Sequence, residues 1–290
     1  MRQANRTAIL FLIPALAVIT AILLFPVVQT LALSFGRDTT SMLRDYEFAG
    51  LANYRRLLDT PRFVTSVLNT LFFTVVTVPV ELILGLGLAL VLNRRLPAQG
   101  LVRMAILFPW ALPTALNALM WRWMFNADYG LFNAALTGTG IVEPINWLGS
   151  IPLAMYSMMF VSIWKTSSFI ALLLLAGLQA IPHDIYEAAE MDGVTAWSKL
   201  RYITLPLLQP AILVAVLLRT MDAMRAFELP FNLTDGGPLT STETLSLYAY
   251  RAIFQYVDFN LGSAAIIVQF LIIMIIAGAY LITLRRDSYA

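Results

Sequence analysis

Residues 187–206 read EAAEMDGVTAWSKLRYITLP and form a polar island in a chain of 290 residues that is 59% hydrophobic. On both sides the sequence turns apolar, over 152–180 before the island and over 209–231 after it. Runs of that length are enough to carry a helix across a hydrocarbon core of about 30 Å. The island is therefore a loop between two spans, and the fold class it implies is an all-α integral membrane protein.

Working outward and breaking the apolar runs at Pro, Gly and charge predicts six spans, at about 8–35, 67–92, 102–124, 152–180, 209–231 and 260–284. The first run exceeds the apolar core of a cleavable signal peptide and reads as a retained, tilted span kinked at Pro14 and Pro26. No internal repeat, Gly/Ser linker or charged tail divides the chain, so residues 1–290 are expected to form one transmembrane domain with a loop at 181–208. A net charge of +2 on scattered carriers suits neither a nucleic-acid surface nor a polybasic lipid patch. The absence of cysteine excludes disulfides and thiolate metal sites, and the single His183 reads as a solvated residue at a helix start.

Arg2, Arg6, Arg94, Arg95, Arg103, Lys199, Arg201, Arg285 and Arg286 fall on one side of the expected bilayer. Arg37, Arg44, Arg55, Arg56, Arg62 and Arg251 fall on the other, where the loop at 125–151 has no Lys or Arg. The bias favours both termini in the cytoplasm. Residues 47–63 place polar and aromatic side chains at helical intervals and are expected to lie along the membrane surface.

Within the island, Pro182 can open a helix, Asp184 and Glu187 have capping-box spacing, and Gly193 fits the left-handed position that ends a helix. Thr195 can cap a second short helix carrying Trp197, Leu200 and Tyr202, before Pro206 turns the chain back toward the bilayer. Two short helices at an angle make a knob, with small Ala188 and Ala189 admitting a partner groove and Ile185, Met191, Trp197 and Leu200 supplying apolar contact. The chain does not itself carry a phosphate-binding loop, which needs G-x4-G-K-[ST]. Its two lysines, Lys165 and Lys199, follow Trp164 and Ser198.

The spacing E-A-A-x3-G-x9-I-x-L-P, on Glu187, Ala188, Ala189, Gly193, Ile203, Leu205 and Pro206, resembles the signature loop of the membrane permease subunits of binding-protein-dependent ABC importers. The resemblance implies a type I ABC importer permease fold, six transmembrane helices with cytoplasmic coupling helices. It also implies ATPase coupling through Glu187, Ala188, Ala189, Asp192, Gly193, Ile203, Leu205 and Pro206. No cofactor is then expected in this chain, Mg-ATP being bound by two partner ATPase subunits. A second homologous permease subunit and an extracytoplasmic sugar-binding protein, lipid-anchored or soluble, complete the expected bacterial plasma-membrane assembly.

Other strings are similar to carbohydrate permeases: Phe48, Gly50, Leu51, Asn53 and Tyr54 before the second span, FPWALP at 108–113, WRWMF at 121–125, NWLGSIPLA at 146–154 and FNLTDGGPLTSTETL at 231–245. Overall the chain looks like the permease subunits of trehalose importers of the mycobacterial type. The maltose-type sugar contacts, carried over along these strings, fall on Trp110 and Thr114, on Ser162, Lys165, Thr166 and Phe169, and on Arg219, Ala223 and Ala226. The chain departs from the pattern where Lys165 and Arg219 are charged and where Ala223 and Ala226 replace sugar-gripping amides.

Arg219, Asp222, Arg225 and Glu228 recur at steps of three in the expected fifth span. Alternate signs there can pair along one stripe inside the bundle or line the translocation path. Trp121 and Trp123 can anchor at the interface or stack on sugar. Two other functions fit a multi-span chain: a gradient-driven secondary transporter with Asp222 or Glu228 as its ion site, and an ABC permease for a non-sugar solute. An intramembrane enzyme would need H-E-x-x-H, G-x-G-D aspartates or G-x-S-x-G, and none of these strings occurs.

Overall fold

The computed structural model describes residues 12–14, 16, 18–37, 46–94, 97–137 and 143–287. Residues 8–11 of the first expected span, with Arg2, Arg6, Arg44 and Arg95, lie outside the described residues. In chain order the elements are α1 (Thr20–Ser34), the hairpin strands β1 (Gly36–Arg37) and β2 (Glu47–Phe48), α2 (Ala52–Leu58), α3 (Pro61–Leu92), α4 (Gln99–Ala111), α5 (Thr114–Met124) and α6 (Leu131–Thr137). They continue with α7 (Leu153–Gln179), α8 (His183–Met191), α9 (Ala196–Met224), α10 (Glu228–Leu233), α11 (Leu245–Phe254) and α12 (Phe259–Asp287).

Among the described residues α3, α7, α9 and α12 are the 4 helices long and apolar enough to cross a membrane, or up to 5 with α4 and α5 taken as one span. The third span expected over 102–124 is thus corrected to a broken pair of helices, because α4 and α5 meet at a 92° bend. Pro113 is the cause. It has no amide hydrogen to continue the helix, and it pushes Leu112 into extended backbone at ψ 132°. The expected fifth span is shortened as well: α9 ends at Met224, and Glu228 begins the separate α10.

Proline has a second effect. Five-residue π turns occupy Thr20–Leu24 and Leu200–Thr204, each followed by one residue and then a proline, Pro26 or Pro206. A proline ring collides with the carbonyl four residues back, and a widened turn relieves that collision without ending the helix. Pro206 therefore does not turn the chain back as expected. It lies inside α9, which runs unbroken from the loop into the apolar region.

The chain divides into two compact units, residues 65–247 with 272–290 and residues 1–64 with 248–271. In the first, Leu92, Ile170, Leu174, Leu178 and Leu208 form a dry cluster of buried residues between α3, α7 and α9. Small residues set the spacing. A Cβ added at Gly85 would lie 2.6 Å from Ile170 Cγ2, and one at Gly177 would lie 2.6 Å from Ala211 Cβ. A second cluster gathers Phe73, Trp121, Phe125, Met158 and Leu233. Trp121 is 5% exposed there, stacked on Phe132 at 5.8 Å and edge-on to Trp164 at 5.2 Å, so it neither anchors at an interface nor faces a sugar path. Trp123 is exposed against Tyr129.

In the other unit β1 pairs antiparallel with β2, Gly36 opposite Phe48. The Asn53 amide donates to the carbonyls of Ser34 (2.9 Å) and Gly36 (2.8 Å), and the Tyr54 hydroxyl meets Ser34 Oγ at 2.8 Å. Asn53 and Tyr54 of the permease-like string thus pin the end of α1 to α2.

Candidate functional site: a charged cavity and an exposed two-helix knob

A cavity of about 630 Å³ opens between α3, α4, α5, α7, α9 and α10, within the ~300–1,000 Å³ span of small-molecule pockets. Trp110, Thr114, Ser162, Lys165, Thr166, Phe169, Arg219, Asp222 and Ala226 all line it. Ala223 does not. It is fully buried in the cluster around Trp121, a correction to its expected place on the path. The α4–α5 break explains part of the assembly, since it leaves Trp110 at the end of one helix and Thr114 at the start of the next.

The break also frees a carbonyl. Thr114 would otherwise donate to Trp110 O, and Lys165 Nζ takes that place at 3.3 Å. The Trp110 ring stacks on Phe169, with centroids 5.5 Å apart and planes 20° from parallel, giving the wall a flat aromatic pair. Thr166 turns its hydroxyl back to Ser162 O at 2.6 Å, as helical threonines do.

Arg219 is 3% exposed and is held by partners from two other helices. Its Nε and Nη2 form a fork on Glu81 of α3, Nη2 donating to Glu81 Oε1 at 3.0 Å, and Nη2 also donates to Ser162 Oγ at 2.8 Å. The Ser162 hydroxyl donates to Glu81 Oε1 at 3.0 Å, and Arg219 Nη1 donates to Asp222 Oδ2 at 3.0 Å. Bidentate geometry of this kind satisfies both charges, which is the condition for keeping an ion pair out of water. Glu81 escaped the sequence reading, yet it is the one acid or base between Arg62 and Arg94. A lone charge inside a span points to a buried partner or a pathway. The four-charge stripe ends at Asp222: Arg225 closes α9 with its Nε on Met221 O at 3.1 Å, and Glu228 starts α10. All four nonetheless line the cavity.

At the other end of α9 stands the knob. Helix α8 starts on Pro182 without a side-chain cap, so the expected Asp184–Glu187 capping box does not form. The proline side chain offers no acceptor, and Glu187 instead meets His183 Nδ1 at 3.0 Å, both side chains exposed. The helix ends in a Schellman motif. Val194 N donates to Ala189 O at 3.1 Å, Gly193 N donates to Glu190 O at 3.1 Å, and Gly193 takes φ +68°. Thr195 then caps α9, accepting from Ser198 N at 3.3 Å.

Two side-chain contacts fix the angle between α8 and α9: Tyr186 OH meets Thr204 Oγ1 at 3.2 Å, and Lys199 Nζ meets Glu190 Oε1 at 2.7 Å. The hydrogen bond from Lys199, and then its charge, hold the Glu190 carboxyl below its usual value. Glu187, Ala188, Asp192 and Gly193 are exposed, and so are Met191 (89%), Trp197 (69%) and Tyr202 (71%). Ala189, expected at the partner face, is buried beneath the knob. Ile203 and Leu205 are half-buried, and with Pro206 they belong to the stem of α9 rather than to the knob.

Apolar spanning helices, a polar cavity among them and a rigid exposed knob on one of those helices define a membrane transport subunit. The chain belongs to the family described as binding-protein-dependent transport system inner membrane component, whose model matches residues 81–286. It is 43% identical over 280 residues to the trehalose/maltose transport system permease of Thermococcus litoralis, covering 96% of this chain and 94% of that one. It is 40% identical to the sulfoquinovosyl glycerol transport system permease of Agrobacterium fabrum, covering 97% of this chain and 91% of that one. Its fold matches a chain of a bacterial alginate ABC transporter crystallised with its alginate-bound periplasmic protein, at TM-score 0.84 and 21% identity, over 96% of this chain and 94% of that chain. Members of this family are transport subunits and not enzymes.

Proposed function

We propose that this chain is the permease subunit of an ATP-driven importer that passes a disaccharide of the trehalose or maltose type into the cytoplasm by alternating access. One observation carries the reading: α9 joins the two candidate sites. The knob forms around its first turn and Arg219 and Asp222 sit in its last two, so a helical rise of about 1.5 Å per residue places them about 35 Å apart on one stiff element. A push on the knob is delivered to the cavity wall.

The cavity chemistry suits a neutral polyhydroxylated solute. The Trp110–Phe169 pair offers a flat apolar face, while Thr166, Thr114 and Lys165 supply polar groups. The name of the Thermococcus relative, a trehalose/maltose permease, supports that class, and the name of the Agrobacterium relative supports a sugar-containing solute more broadly. Because this chain holds no phosphate loop, Mg-ATP belongs to two partner ATPase subunits that seat on Glu187, Ala188, Asp192, Gly193 and the exposed Met191 and Trp197. A second homologous permease subunit and an extracytoplasmic sugar-binding protein complete the complex, with both termini of this chain in the cytoplasm. Replacing Glu187 and Gly193 together abolishes sugar-stimulated ATP hydrolysis in the assembled complex. Unchanged hydrolysis and uptake would reject the coupling role.

A further inference from the structure

We propose that Asn117 reads a hydroxyl of the transported solute directly, an assignment that rests on the disaccharide reading above. Asn117 lies on α5 one turn beyond Thr114, lines the cavity and is 1% exposed. Neither its Nδ2 nor its Oδ1 has a partner in the protein. An asparagine carboxamide carries two donors and an oxygen able to accept twice, and burying all of them unpaired is costly.

Another asparagine of the same unit shows what a purely structural role looks like. Asn133 donates to the carbonyls of Ala127 and Ile145 at 2.9 Å each, and it accepts from Ile145 N at 3.2 Å and Trp147 Nε1 at 2.9 Å. It is satisfied on every side and ties a loop together. Asn117 ties nothing. A helical asparagine commonly points to solvent or bonds to the preceding turn, and Asn117 does neither.

The core behind this wall repeats the pattern. Trp121 Nε1, one turn further along α5, and Thr77 Oγ1, one turn along α3 from the cavity-lining Phe73, are also buried without partners. Arg219 and Lys165 show the reverse, Arg219 engaged by Glu81, Ser162 and Asp222 and Lys165 on Trp110 O. Of these three unpaired groups, the Asn117 carboxamide is the one whose residue lines the cavity. A sugar hydroxyl, at once donor and acceptor, matches a carboxamide, and its ring can lie on the Trp110–Phe169 face at the same time.

The test uses the assembled importer with its binding protein saturated by each sugar, so that receptor affinity does not enter the transport rate. The probes are trehalose and its mono-deoxy analogues. In the wild type one analogue is carried about tenfold or more slowly than trehalose, as expected when a buried group loses its hydroxyl partner. Asn117→Ala slows trehalose by a similar factor and adds no further loss for that analogue, while penalties at the other positions persist. Asn117→Ser, which keeps one short donor and acceptor, recovers part of the rate.

A variant that slows every sugar alike, or that leaves trehalose unaffected, overturns the assignment. A wild-type complex indifferent to every deoxy position also overturns it, and this arm needs no folded variant. If the wild-type complex carries neither trehalose nor maltose, the disaccharide reading itself falls and this assignment falls with it.

Discussion

The knob at the start of α9 and the cavity wall at its end are built on opposite plans. The knob is contiguous in sequence and presents large apolar side chains to the outside, Met191 at 89% exposure and Trp197 at 69%. Its rigidity comes from backbone caps at Gly193 and Thr195. The cavity wall draws single residues from several helices and is braced by a hidden ion pair, with Glu81 fully buried and Arg219 nearly so. Its rigidity comes from side chains bonded across α3, α7 and α9. The knob uses its polar groups to shape the backbone. The cavity wall pairs its buried charges with one another.

If that contrast is right, substitutions in the cavity network cost far more stability than substitutions in the knob. Arg219→Ala leaves Glu81 buried with the Ser162 hydroxyl but no cation beside it, and is expected to destabilise the protein by about 3–5 kcal/mol. Replacing both residues by leucine restores most of that loss, as thermal unfolding in detergent would record. At the knob, Gly193→Ala meets no steric obstacle, since nothing lies within 4 Å of the added Cβ. Its cost is the left-handed backbone alone, about 1–2 kcal/mol, and Gly193→Asn should cost less. Hydrogen exchange of the α8 amides measures both.

Thr195→Ala removes one exposed cap and weakens the first turn of α9 by about 0.5–1 kcal/mol, readable by the same exchange experiment. The smallest effect is the pH response of the Glu190–Lys199 contact. The lowered Glu190 value means its contribution is fully present above the ordinary 4.5 and is lost only as pH falls through the lowered value. Carboxylate titration by NMR should show Glu190 protonating below 4.5, and Lys199→Ala should move it up toward that value.

The same contrast explains what was legible in the sequence. Pro182, Gly193 and Thr195 act on their neighbours in the chain, so their spacing alone located the end of α8 and the start of α9. The capping box misled because it ignored Pro182, which occupies the cap position without an acceptor. Pro113 announced the break between α4 and α5, yet an apolar run that continued on both sides hid it.

The cavity was harder to read because its partners lie far apart in sequence. Glu81 and Arg219 are brought together only by helix packing, and no local pattern links them. Resemblance to sugar permeases located most of the wall, since Trp110, Lys165 and Phe169 all line it. It misplaced Ala223, which the helix turns into the core. Asn117 carried no signal of its own, because only the packed structure shows that its amide has no partner.

Transport by reconstituted vesicles tests the central claim most directly. The purified chain alone is compared with the complete complex carrying both ATPase subunits, under an ion gradient or with ATP inside. The account predicts that labelled trehalose accumulates only with the complete complex and ATP. Gradient-driven uptake by the chain alone would contradict it and would make Asp222 or Glu228 an ion site instead.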